Sequence, residues 1–172
     1  MKGAAGLVGV SLLLAASTGC AIPTADADAQ LALDYVSFDV RSDRYGWRTL
    51  NASGCTDEAV ALLTRYASAN DARLSAEARR ELTFHAGQAL AFAGRDAESI
   101  AHFERAQDAA APSEWRVYVA ATLAFLRRDA AALAAARSAY AAAAGDSMRL
   151  RIIDGFIACP DASYRVAAHC RM

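Results

Sequence analysis

From Asp57 onward, apolar residues recur every third or fourth position, broken at regular intervals by short polar turns. A period near 3.6 marks amphipathic helix. The segment 57–69, DEAVALLTRYASA, sets Ala59, Val60, Leu63 and Tyr66 or Ala67 along one side. After a loop at 70–75, the segment 75–94 opens with Ser75, a side chain suited to capping a helix start, and closes at Gly94. The next helix, 95–109, carries Asp96 and Glu98 in its first turn, where the helix dipole favours negative charge. Pro112 and Ser113 stop it and start 113–127, and 129–144 follows, ended by Gly145. A further helix is expected over about 44–52, ahead of GCTDEAVALLTRY, and one more helical pair over 151–170. LALDYVSFDV (31–40) alternates only weakly and reads as a short strand, a helix or an extended arm on the first pair. The fold class is therefore all-α, built from antiparallel helical hairpins.

The hairpins repeat. AGRDAESIAHFERA aligns with LRRDAAALAAARSA at a shift of 33 residues, within the range of stacked helix-pair units. Ala86, Gly87, Leu90, Gly94, Ser99, Ile100, Phe103 and Ala106 resemble the pattern of a tetratricopeptide repeat, with Pro112 one residue late. A second unit is degenerate: Ala120, Leu123, Ala132 and Ala139 fit, but Ala136 stands where a large aromatic is expected. The resemblance implies a short α-solenoid with a concave groove lined by the first helix of each pair. Carried over residue by residue, Phe84, Gln88 and Phe92 would line that groove, followed by Val117, Ala121 and Phe125. Such a strip suits an amphipathic helix or an extended peptide.

The first residues read differently. Lys2 gives a positive start, 4–16 an apolar stretch and Ser17-Thr18-Gly19 a small-residue cluster, which together make a secretory signal. The apolar run is too short for a spanning helix, which takes about 20 residues. Ser17-Thr18-Gly19-Cys20 resembles a bacterial lipobox, although leucine is usual where Ser17 stands. The resemblance implies 1–19 as leader, Cys20 as a lipidated mature N-terminus and, because Ala21 is not aspartate, the outer membrane facing the periplasm. The alternative is ordinary cleavage after Ala21 or Ala27, giving a soluble periplasmic or secreted protein. IPTADADAQ then reads as a tether over 20–30, polar and proline-broken. The single domain spans 31–172.

Composition narrows function mostly by exclusion. The 18 basic and 19 acidic residues leave a formal net charge of −1, giving no reason to expect nucleic acid as a partner. Lys2 is the only lysine and alanine is abundant, which raises helix propensity. With Cys20 lipidated or removed, Cys55, Cys159 and Cys170 remain, an odd number for an oxidising compartment. A continuous helix would hold Cys159 and Cys170 about 16 Å apart, and a disulfide needs Cα atoms within about 7 Å. The expected Cys159–Cys170 bridge thus requires the helix after Pro160 to break before Cys170 and turn back. A bond from Cys55 to either one is the alternative, and would mean the array curls into a globule.

Reaction chemistry is thin. His85, His102 and His169 raise the question of a metal, for instance His169 with Cys170 and Asp161, but the paired ligand spacing of zinc sites is missing. Cys55 or Ser53 with His85 and Asp39 would make a nucleophile–base set, yet NASGC is no nucleophile elbow. No phosphate-cradling glycine loop occurs. RSDRYGWRTLNASGC concentrates Arg41, Arg44, Tyr45, Trp47 and Arg48, residue types common at binding hot spots, though Trp47 also suits the end of a core. The expectation is a non-enzymatic module without cofactor or metal, anchored in the envelope by lipid and binding a protein or peptide. A structural accessory subunit is the alternative, and a small hydrolase or metal-binding protein the remaining one.

Overall fold

The computed structural model describes residues 19–40 and 43–170. Residues 1–18, which hold most of the expected leader at 1–19 and Ser17 and Thr18 of the lipobox-like stretch, lie outside the described residues. Among the described residues ten α-helices run in order: α1 Thr24–Leu31, α2 Tyr35–Val40, α3 Trp47–Ala52, α4 Thr56–Ala69, α5 Ala76–Phe92, α6 Asp96–Ala106, α7 Ser113–Leu126, α8 Ala130–Ala144, α9 Met148–Ala158 and α10 Tyr164–Ala168. No strand occurs among the described residues, so the chain is all-α. None of these helices is long and apolar enough to cross a membrane.

Three helix ends share one geometry, and it sets how successive helices fold back. In each, the residue just past the helix end has positive φ: Gly54 at 83°, Gly94 at 75° and Arg128 at 58°. The following N–H then reaches back to the helix's last turn, from Cys55 to Leu50, Arg95 to Leu90 and Asp129 to Ala124, at 2.9–3.0 Å. This double-bonded ending satisfies carbonyls that the helix leaves orphaned. It also corrects the sequence alignment by one residue, because the turn equivalent of Gly94 is Arg128 rather than Arg127. The matching RDA letters are offset from the matching backbone. Arg128, lacking glycine's freedom at this position, is held by a guanidinium bond to the Pro160 carbonyl.

Consecutive helices lie against one another: α3 on α4, α5 on α6, α7 on α8 and α9 on α10. Two apolar cores result. Phe38, Trp47, Leu50, Ala59, Leu62, Leu63 and Tyr66 form the first with Leu82 and Ala86 of α5. Phe103, Trp115, Tyr118, Val119, Phe125, Ile153, Phe156 and Tyr164 form the second with Phe84 and Ala91 of α5. Helix α5 is thus a shared wall, buried on two sides. Gly87 lets α6 approach: a Cβ there would sit 3.0 Å from the Phe103 ring. Helix α6 stops at Ala106, earlier than its sequence suggests, because the Trp115 indole N–H caps the Ala106 carbonyl and Arg80 pairs with Asp108.

The N-terminal segment departs from expectation. Instead of a tether over 20–30, the chain forms α1, with Ala27 and Gln30 buried against α4. Asn70 donates to the Leu31 carbonyl and Tyr66 to the Leu33 carbonyl, and Phe38 stacks on Tyr66 at 3.7 Å between ring centres. Residues 31–40 end in the short helix α2 rather than in a strand. A weakly alternating sequence was compatible with either, and the aromatic stack decides.

Candidate functional site

The residues expected to line an open groove are largely covered by the chain itself. Phe84 is 3% exposed, Ala121 0% and Phe125 2%. Phe84 packs among Phe103, Trp115 and Tyr118. Helix α10 drives Tyr164 into the strip, where its ring meets Phe92, Phe103, Phe125 and Phe156. Gln88 donates to the Tyr164 hydroxyl at 3.5 Å. The hydroxyl is buried, which pushes its pKa up to about 12. Phe84, Ala121 and Phe125 are therefore corrected from groove lining to core, and Gln88 is already engaged. Phe92 and Val117 keep partial exposure. Val117 faces a shallow apolar trough with Ala120, Ala132, Ala136 and Ala139.

Phe92 borders what is left of the inner face. A cleft of about 180 Å³ remains between α3 and α10, lined by Trp47, Arg48, Asn51, Ala52, Phe92, Arg165 and His169. Each of its two aromatic rings carries an arginine. Arg48 lies 4.2 Å from the centre of the Trp47 ring and Arg165 lies 5.2 Å from that of Phe92. Arg165 also donates to the Phe92 carbonyl, while His169 Nδ1 sits 2.7 Å from the Arg165 carbonyl. Trp47 is buried, and its indole N–H finds no acceptor among the described residues.

Comparison with protein-family models, with curated proteins and with solved structures finds no match to this chain.

Behind Trp47 stands a polar seam that joins α2, α3 and α5. His85 stacks on Trp47 and places Nδ1 2.9 Å from Asp39 Oδ1, close but misaligned for a linear hydrogen bond. Arg48 binds the other Asp39 oxygen at 2.9 Å and the Asp39 backbone carbonyl at 2.7 Å. Burial pushes the Asp39 carboxyl up, but His85 and Arg48 outweigh it and hold its pKa below the ordinary value of 3.8. Tyr35 donates to Glu81, one turn before His85 on α5, and burial first, then Glu81, pushes the Tyr35 pKa up.

The residues named for a nucleophilic set are thus partly assembled. Asp39 and His85 meet, but Cys55 is bonded to Cys20, with Cα atoms 5.3 Å apart. Cys20, Cys55 and Glu58 cluster closely enough to ligate a metal, yet the two sulfurs are joined and offer no thiolate. Cys159 and Cys170 pair across 6.5 Å, with the chain turning at Pro160 before α10. Arg165 was not expected at a site and His169 only as a metal ligand, because only the return of α10 brings the two to Trp47. The aromatic–arginine density at Trp47 and Arg48 was the available signal.

Proposed function

We propose that the protein is a non-enzymatic binding module of the bacterial envelope. In this reading it is a short stack of antiparallel helix pairs of the tetratricopeptide kind, exported by the leader at 1–19. The three like turns at Gly54, Gly94 and Arg128 support the repeat reading. The cleft between α3 and α10 carries the binding proposal, because its two rings are each covered by a cation. An apolar wall beside a guanidinium suits an acidic segment of a protein partner, its carboxylate on Arg165 and its apolar stem against Phe92, while Arg48 stays paired with Asp39. Of the strip expected to line a groove, only Phe92 enters this reading.

A photo-crosslinking residue at exposed Ala52, on the cleft's rim, tests the proposal in native envelopes. It should give a discrete adduct that an Arg165→Glu change abolishes. The same label at exposed Ala143 on α8 should give none. Equal labelling from both positions, or an adduct indifferent to Arg165→Glu, would reject the cleft as the contact.

A second reading, an accessory subunit of a larger assembly, draws on Val36 and Val40. These lie one turn apart on α2 and are 67% and 65% exposed. An obligate subunit would aggregate when purified alone, and Val36→Ser with Val40→Ser would cure it.

A further inference from the structure

The sulfur of Cys20 can make only one bond beyond its own side chain. A diacylglyceryl thioether uses it, and so does a disulfide. The structure gives that sulfur to Cys55. Four observations favour this use. Cys55 is 6% exposed and fixed by the turn that follows α3, where its N–H bonds the Leu50 carbonyl, so its thiol is presented in one place. The chain leaving Cys20 is docked, with Ile22 packed on the first core, Ala27 and Gln30 buried, and residues 31 and 33 bonded to α4. No slack separates a lipid at Cys20 from the domain. Four cysteines make two pairs, with none free among the described residues, whereas lipid on Cys20 would strand Cys55 as a buried odd thiol. Finally, the sequence supplies small residues two apart ahead of Cys20, Ser17 with Gly19 and Ala15 with Ser17. That is the spacing used for ordinary leader cleavage.

We propose that Cys20 matures as half of the Cys20–Cys55 disulfide and not as a lipid anchor. The leader is removed on its amino side and the domain is released into the aqueous space of the envelope. The proposal rests on the export reading and is independent of what the cleft binds. One of the two thiolates attacks the disulfide of a thiol oxidant, forming a mixed disulfide and expelling one oxidant sulfur. The second thiolate then displaces the other. The protein loses two electrons and two protons, and the oxidant leaves as a dithiol.

The test is full-length expression in an exporting bacterium, followed by fractionation and non-reducing peptide mapping after thiol alkylation. Tryptic cleavage at Arg41, Arg48 and Arg65 separates the two cysteines. The expected result is a soluble protein whose Cys20 and Cys55 peptides are crosslinked, neither alkylated, and that start upstream of or at Cys20 without acyl mass. In a Cys55→Ser variant, Cys20 should be alkylated and still soluble. Acyl mass on Cys20 with an alkylatable Cys55 in the membrane fraction would overturn the proposal, as would a mature chain that begins beyond Cys20. Those results leave export intact. An uncut leader with all four thiols reduced would overturn the export reading together with the proposal.

Discussion

Asp39 shows how much a single side chain does in this molecule. It ties α2 to α3 through Arg48 and to α5 through His85, at the edge of the first core. Its folded pKa is depressed below the unfolded value of 3.8, so its contribution is fully present above that value and is lost as pH falls through the folded pKa. Asp39→Asn should cost about 1 kcal/mol at pH 7, the scale of a partly buried polar contact. It should also flatten the loss of stability below about pH 4, where the carboxyl titrates. Urea midpoints at pH 7 and pH 3 for both proteins check it; an unchanged difference between the two pH values would show that Asp39 is not the group being titrated. Sequence reading placed Asp39 beside His85 only as part of a nucleophilic set. The pairing is visible in the structure, where Asp39 ties three helices together and Cys55 is committed to Cys20.

At the scale of the element, glycine positions separate what the sequence reveals from what it hides. Gly87 was legible, because the small residues around it repeat in a known helical pattern, and its Cβ position indeed faces Phe103 and His102 at 3.0–3.1 Å. Gly155 was not legible. It lies within an ordinary apolar run, and its importance comes from α10, which places the Ala167 carbonyl 2.3 Å from where a Cβ would stand. No local pattern announces a contact with a segment beyond a turn at Pro160. A backbone carbonyl cannot yield as a flexible side chain can, so Gly155→Ala must push α10 outward. Both Gly87→Leu and Gly155→Ala should destabilise by about 1–3 kcal/mol, the cost of overpacking. They differ in consequence, since only Gly155→Ala should loosen Tyr164 and raise protease access near 159–170. Limited proteolysis alongside urea melts separates the two. The central helices were readable to within a few residues from periodicity and, at Ser75, from the cap, whereas α1 stands where a tether was expected and α6 ends three residues before the expected 109. The one-residue slip at Arg128 arises because the RDA letters match at a shift of 33 whereas the left-handed turn residues, Gly94 and Arg128, match at 34.

For the whole molecule, closure was the unreadable part, because the packing of α1, α2 and α10 depends on contacts far apart in sequence. It also decides how the protein unfolds. The two cores share α5 as a common wall, and α10 seals the second against it through Tyr164 and Gln88. If that wall couples them, neither core can melt alone. The chain offers a direct probe, since its two tryptophans fall one to each core, Trp47 in the first and Trp115 in the second. Single-tryptophan proteins made with Trp115→Phe and Trp47→Phe should each report one unfolding transition. Tyr164→Ala, introduced into both, removes a fully buried ring at the cost of about 3–5 kcal/mol, the range for large aromatic truncations. A cooperative molecule transmits that loss everywhere, so the Trp47 signal should fall to lower denaturant by as much as the Trp115 signal. Were the Trp47 transition to stay put while Trp115 moved, the shared helix would be a hinge between two independent units. The cleft between α3 and α10, which draws one wall from each, would then lack the rigid frame that its geometry requires.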